Sequence, residues 1–267
     1  MATKEEILAE LEHTKLPCVR ITPEPDEIPG PTDSKFGGDY YLPAGAEAPE
    51  MEFLAQINFA QVPALEGFPG KGLLQFFLCT EDEKFEDFIG DRLAFFPDSG
   101  FFQVRWYPEV LAGGSAHPDI VPKERWAMEK ITGSMRFEPT EETASISADD
   151  EGRFVADLGY QEAVVNMDTF LGDEEGYDLG DCGGVNDFFW DFGNWGIKLG
   201  GHPSLRYTDI RLNDRSFQDY TVLLFQLDLT ALPSAEAEAD TFCFFIKPED
   251  LKACRFDDIL LTWHNCY

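Results

Sequence analysis

Apolar residues along this chain recur mostly at a period of two or as doubled aromatics, and only three or four short stretches carry helical spacing. Cys18–Thr22, Tyr40–Leu42 and Ser134–Glu138 read as short strands. In Phe53–Phe59, Phe53, Ala55, Ile57 and Phe59 fall on one side and Glu52, Gln56 and Asn58 on the other, which predicts a strand with one buried face. Phe102, Val104 and Trp106 alternate with Gln103 and Arg105 in the same way. The pairs Phe76-Phe77, Phe95-Phe96, Phe101-Phe102, Phe188-Phe189 and Phe244-Phe245 behave differently. Neighbours on a strand point to opposite faces, so each pair needs apolar cover on both sides. Strands are also expected at Val222–Leu229 and Ile259–Trp263.

Helical spacing is confined to a few places. Thr3 and Glu6 form a T-x-x-E capping box ahead of Ile7, Leu8 and Leu11, predicting a helix from about Lys4 to Lys15. Lys123–Ile131 suits a helix, and Ala163, Val164, Met167, Phe170 and Leu171 predict an amphipathic one closed by Gly172. Pro248 followed by Glu249 and Asp250 marks a further helix start.

Two stretches echo each other. KFGGDYYL at Lys35 is answered by KLGGHPSL at Lys198, FLAQINFAQVP by LLFQLDLTALP, and LQFFL by FCFFI. Lys35/Lys198, Gln56/Gln226 and Phe76/Phe244 are separated by 163, 170 and 168 positions, the drift expected of a repeated unit with variable loops. The fold class that follows is α+β: β-rich, two similar halves from an internal duplication, with peripheral helices. The corresponding division is an N-terminal helix and Pro-rich connection at 1–33 and one domain at 34–267. Its halves lie at about 34–137 and 180–267, around an acidic linker region at 138–179.

Composition narrows the function. With 24 Phe and 43% hydrophobic residues the chain is globular, and 20 Lys+Arg against 51 Asp+Glu give a net charge of −31. Such a field repels phosphate backbones and anionic lipids, so nucleic acid and membrane are excluded as partners and a basic protein is favoured. The segment Glu138–Asp181 holds 14 acids and one base, Arg153. Within it Asp173, Glu174, Glu175 and Asp178 are the acidic docking candidates, while solubility alone would account for the same charge. The start Met-Ala-Thr-Lys-Glu-Glu has no apolar leader and no stretch reaches membrane-spanning length, which predicts a cytoplasmic location.

Chemistry-bearing motifs are sparse. The six Cys include no C-x-x-C pair, and Cys79 and Cys243 fall in or beside apolar runs that would bury them. Gly180-Asp181-Cys182-Gly183-Gly184 has nucleophile-elbow spacing, but the acidic approach disfavours a thiolate. No phosphate-binding loop, dinucleotide fingerprint or zinc motif occurs, the acidic run lacks D-x-D-x-D-G alternation, and His264 with Cys266 supplies too few ligands. No metal and no cofactor are expected. Lys35, Gln56, Lys198, His202 and Gln226 remain as candidates for a ligand cleft between the halves.

The ordered motifs K-F-G-G-x-x-x-L-P, F-L-A-Q-I-N, G-L-L-Q-F-F, K-L-G-G-H-P, F-Q-L-D and F-F-I-K-P-E-D-L resemble the YwqG family, catalogued as DUF1963, from Ser34 to the C-terminus. The resemblance implies a bacterial protein with an α+β fold and no established activity. Genes of some relatives lie beside conflict or stress systems, which implies an interaction role. GDCGGVNDFFW departs from the pattern by the insertion of Asp187. Two functions from different classes follow. One is a non-enzymatic binding protein, immunity- or stress-related, with an acidic docking surface. The alternative is a hydrolase or small-molecule-binding enzyme with a cleft between the halves.

Overall fold

In the computed structural model the described residues are 9, 11–79, 94–111, 115–116, 133–148, 154–157, 162–164, 194–204, 209–233 and 241–264. Strands in chain order are β1 (Leu16–Glu24), β2 (Lys35–Phe36), β3 (Tyr41–Leu42), β4 (Glu52–Asn58), β5 (Leu73–Leu78), β6 (Ala94–Phe95), β7 (Phe102–Tyr107) and β8 (Ser115–Ala116). They continue as β9 (Gly133–Glu142), β10 (Ser145–Ala148), β11 (Phe154–Asp157), β12 (Glu162–Val164), β13 (Ile197–Gly200), β14 (Val222–Asp228), β15 (Thr241–Ile246) and β16 (Ile259–His264). Besides the helical residues Ala9 and Leu11, the described residues form two short α-helices, α1 (Ile210–Asn213) and α2 (Pro248–Lys252), neither longer than five residues.

Eleven strands join one antiparallel sheet in the order β6-β16-β15-β14-β13-β1-β9-β2-β4-β5-β7. Laid flat at about 4.8 Å per strand, the six spacings from β14 to β5 would span about 29 Å. Yet the ring of Phe76 on β5 lies 4.6 Å from Phe225 on β14 and 4.8 Å from Phe244 on β15. The sheet therefore curls until its arms face each other. Its two edge strands are also tethered, because only Phe96–Phe101 separates β6 from β7. Aromatic burial drives the curl: one continuous core gathers Val19, Phe36, Ile57, Phe76, Phe225 and Phe244 from strands along the whole sheet.

The outer face carries two smaller apolar clusters. Phe77 packs with Tyr40, Leu42 and Phe53 over one arm, and Phe245 with Tyr220, Leu223, Cys243 and Leu260 over the other. Phe76-Phe77 and Phe244-Phe245 thus divide between inner and outer clusters, as doubled aromatics on a strand require.

Several expectations are corrected. The α+β class with peripheral helices gives way to a β-rich fold, because loop segments such as Tyr40–Met51 and Phe217–Tyr220 supply the outer cover that helices were expected to give. The internal duplication is left unshown: the arms β2-β4-β5-β7 and β13-β14-β15-β16 are parts of one continuous sheet joined through β9 and β1, not separate halves. The alternation expected for Phe53–Phe59 is broken by a bulge between Phe53 and Ala55. Leu54 and Ala55 both join the inner core, Phe53 turns outward, and Gln56 is buried instead of facing water. Of the predicted Lys4–Lys15 helix, 4–8 and 10 lie outside the described residues, Ala9 and Leu11 are helical, and Glu12–Thr14 tightens into a 3-10 turn before β1. Glu162–Val164 is a strand where a helix was expected to begin. Lys123–Ile131, Cys182 and Phe188-Phe189 lie outside the described residues.

Truncating Phe76 tests the curled core. Phe76→Ala removes the ring that joins β5 to β14 and β15 and is expected to cost about 3–5 kcal/mol in urea unfolding. Phe96→Ala, at a partly buried ring on the outer cluster, is expected to cost clearly less. Equal losses would show that the inner contact is not the main tie between the arms.

Candidate functional site

Lys35 on β2 pairs in register with Gln56 on β4, and Lys198 on β13 pairs with Gln226 on β14. All four are buried on the outer face, opposite the aromatic core. Each lysine is followed one residue later by two glycines at positive φ, 48° and 61° at Gly37 and Gly38 and 70° and 72° at Gly200 and Gly201. A side chain would be strained there. At Gly201 a Cβ would also lie 2.3 Å from Glu142 Oε1.

The two glutamines act as bolts between sheet and loop. Gln56 Nε2 donates to the carbonyls of Pro31 (3.1 Å) and Asp33 (2.8 Å), while its Oε1 accepts from the Tyr41 N–H and from Gln75 Nε2, both at 2.8 Å. Gln226 Nε2 donates to the carbonyls of Asn194 (3.0 Å) and Gly196 (2.9 Å), and its Oε1 accepts from the Ser204 N–H at 2.7 Å. Both amides spend their donors on loop carbonyls, which a strand glutamine can do only when the loop lies across the sheet.

The lysines differ in charge compensation. Lys198 Nζ donates to Asn194 O (2.8 Å) and meets Glu142 Oε1 at 2.5 Å with both side chains almost wholly buried. Burial pulls the Lys198 pKa down and the Glu142 carboxylate opposes that fall. Glu142 Oε1 also accepts from the His202 N–H at 3.0 Å, and Arg20 Nη2 stands 3.7 Å from Oε2, beyond hydrogen-bond reach. Lys35, only 3% exposed, donates to Gly30 O and makes no ion pair among the described residues. Burial lowers its pKa, with Asp33 and Asp39 opposing.

His202 Nε2 lies 2.7 Å from Thr14 O, so that nitrogen carries the proton and ties the segment before β1 to the turn after β13. Burial lowers its pKa, which favours the neutral ring. Nearby, Arg211 is locked to Asp209 and lies with its guanidinium 3.9 Å from the Phe245 ring centroid. The thiols of Cys18 and Cys243 are buried and pushed up to about 12, so neither is a ready nucleophile.

The five candidate residues thus form two groups, Lys35 with Gln56 and Lys198 with His202 and Gln226. Three strand spacings and a four-residue register offset separate the lysines, about 20 Å along the sheet. A distinct groove of about 540 Å³ lies where the sheet's ends approach, lined by Glu50, Gln103, Val104, Arg105, Phe256 and Asp257 among others. None of the five candidates lines it. Asp173, Glu174, Glu175 and Asp178 lie outside the described residues. Among the described residues no three of His, Cys, Asp and Glu gather as a metal site would require. Sequence reasoning missed Glu142, which stood undistinguished among 14 acids, and Asn194 and Thr14, whose backbone carbonyls act here and leave no side-chain signal.

The family profile described as Domain of unknown function (DUF1963) matches residues 34–266. The chain belongs to that family. The comparison with curated proteins returns no match. In this DUF1963 protein the matched span begins at Ser34, whose hydroxyl accepts from the Asn58 N–H beside the first lysine, and it contains both Lys–Gln pairs.

Two measurements check these assignments. Lys198→Met leaves the Glu142 carboxylate buried without its partner and is expected to cost about 3–5 kcal/mol, whereas Lys35→Met strands no carboxylate and is expected to stay within about 1 kcal/mol. Chemical denaturation of the two variants distinguishes them, and equal costs would refute the difference in compensation. His202 supplies a pH test. Its native pKa lies below the ordinary histidine value of 6.5, so the unfolded chain takes up a proton first on acidification. Stability from this group is complete above pH 6.5 and falls as pH drops from there to the native pKa. His202→Gln should flatten that part of the wild-type stability profile, and an unchanged profile would contradict it.

Proposed function

We propose that this DUF1963 protein is a bacterial cytoplasmic binding protein, non-enzymatic and immunity- or stress-related, that docks a basic protein on its acidic surface. The observation that carries this reading is the net charge of −31. Acids such as Asp26, Glu27, Glu47, Glu138 and Glu141 are exposed, while Lys35, Gln56, Lys198, His202 and Gln226 are buried and engaged in holding loops to the sheet. Lys35 and Lys198 are withdrawn from solvent, and with 51 acids against 20 bases in the chain its outward field has one dominant sign. Complementary charge accelerates encounter and selects against acidic partners. Among the described residues no helix is long and apolar enough to cross a membrane, which is compatible with the cytoplasmic location proposed here.

Affinity capture from the native host at low salt tests the reading, followed by titration of the purified pair. A basic protein is expected, with affinity at least about tenfold weaker once salt shortens the screening length from about 10 Å at 0.1 M to about 3 Å at 1 M. Neutralising Asp173, Glu174 and Glu175 together should weaken it further. The same affinity under all conditions would overturn electrostatic docking. A small molecule recovered with the purified protein would instead support the alternative, a hydrolase or small-molecule-binding enzyme.

A further inference from the structure

Among the described residues, the last strand of the sheet has an unpaired edge. All six residues of β7 pair with β5 on one side. On the other side β7 has no strand neighbour among the described residues. At the far end of the sheet, β6 is two residues long and pairs only with Leu261 and Thr262 of β16. The groove of about 540 Å³ runs beside the open edge of β7. Its lining includes Phe102 and Val104, which belong to or pack on the inner core, and also Gln103 and Arg105 of opposite parity. A groove touching both parities follows the edge of the strand, where backbone N–H and C=O groups are within reach of an added chain.

The charges beside that edge select what can be added. Glu50 and Asp257 line the groove, both are exposed, and neither is held in an ion pair among the described residues. Arg105 is the basic residue of the lining, and it is engaged elsewhere: Nη1 donates to Glu47 O, Nε donates to Gln103 Oε1 at 3.2 Å, and its guanidinium lies 5.8 Å from the Phe77 ring centroid. A second copy of this chain is a poor occupant, because it would bring another charge of −31 to the same carboxylates.

We propose that β7 is the docking edge for an extended Lys- or Arg-bearing segment of the partner, which adds as a further strand and meets Glu50 and Asp257 with its basic side chains. This rests on the reading that the partner is basic, and it names where and how that partner binds. Main-chain hydrogen bonds to β7 supply affinity without regard to sequence, and the two carboxylates supply selection for positive charge. The strand FQVRWY holds no proline and is rich in aromatic and β-branched residues, so it is suited to accept a neighbour.

The test uses a capped eight-residue peptide alternating Lys and Val, with fluorescence anisotropy for affinity and amide hydrogen exchange for location. Binding to the full chain should slow exchange in Phe102–Tyr107. A fully N-methylated version keeps the charges and loses every backbone donor, and should bind at least about tenfold more weakly. Glu50→Lys/Asp257→Lys, at exposed positions, should weaken the Lys-Val peptide by a similar factor and improve binding of a Glu-Val peptide. Binding unaffected by N-methylation, or protection confined to other acidic segments, would overturn the edge assignment while leaving a basic partner in place. No binding of any cationic peptide at low salt would overturn both.

Discussion

The contact between Phe76 and the Phe225–Phe244 pair is the constraint from which the rest of the structure follows. An eleven-stranded sheet with aromatic residues on one face cannot leave that face in water, and this fold has no long helix among its described residues to cover it. Curling the sheet onto itself lets one set of side chains serve both arms, burying each ring at about 25 cal/mol per Å² of apolar surface removed from water. The strand order puts β1 and β9 in the middle of the sheet, where their nine-residue antiparallel pairing bridges the two arms.

Covering the outer face is a separate problem with a polar solution. Loop backbone laid over a sheet brings carbonyls that lose water, and each must find a donor. Gln56 and Gln226 meet that need from the sheet side, with the buried lysines adding a donor apiece. The cost is the desolvation of two ammonium groups. At Lys198 the Glu142 carboxylate offsets it, while at Lys35 the offset is confined to a carbonyl and more distant acids. Lys35, Gln56, Lys198, His202 and Gln226 thus each fasten loop backbone to the sheet.

The short strands and the doubled phenylalanines were legible in the sequence because a strand's period of two is a local property. Phe76-Phe77 announced a sheet covered on both sides before any neighbour was known, and the structure places those rings in two different clusters. The Pro248 helix start and the glycine pairs after Lys35 and Lys198 were legible for the same reason, since missing donors and positive φ depend on the residue itself. Net charge, a sum over composition, needed no fold to be read.

Other features depended on which segments met. The sequence could not say that loops would replace helices as the outer cover, because an aromatic strand face accepts either. It predicted a wet face for Gln56, and a single-residue bulge at Leu54 with a loop lying overhead made that face dry. Glu142 became the partner of Lys198 through strand register, 56 residues away and indistinguishable from its acidic neighbours in sequence. The chain by itself determined periodicity, turns and charge, which are properties of one to a few residues. Only the tertiary structure decided burial, pairing and the open edge, because each depends on a contact between segments distant along the chain.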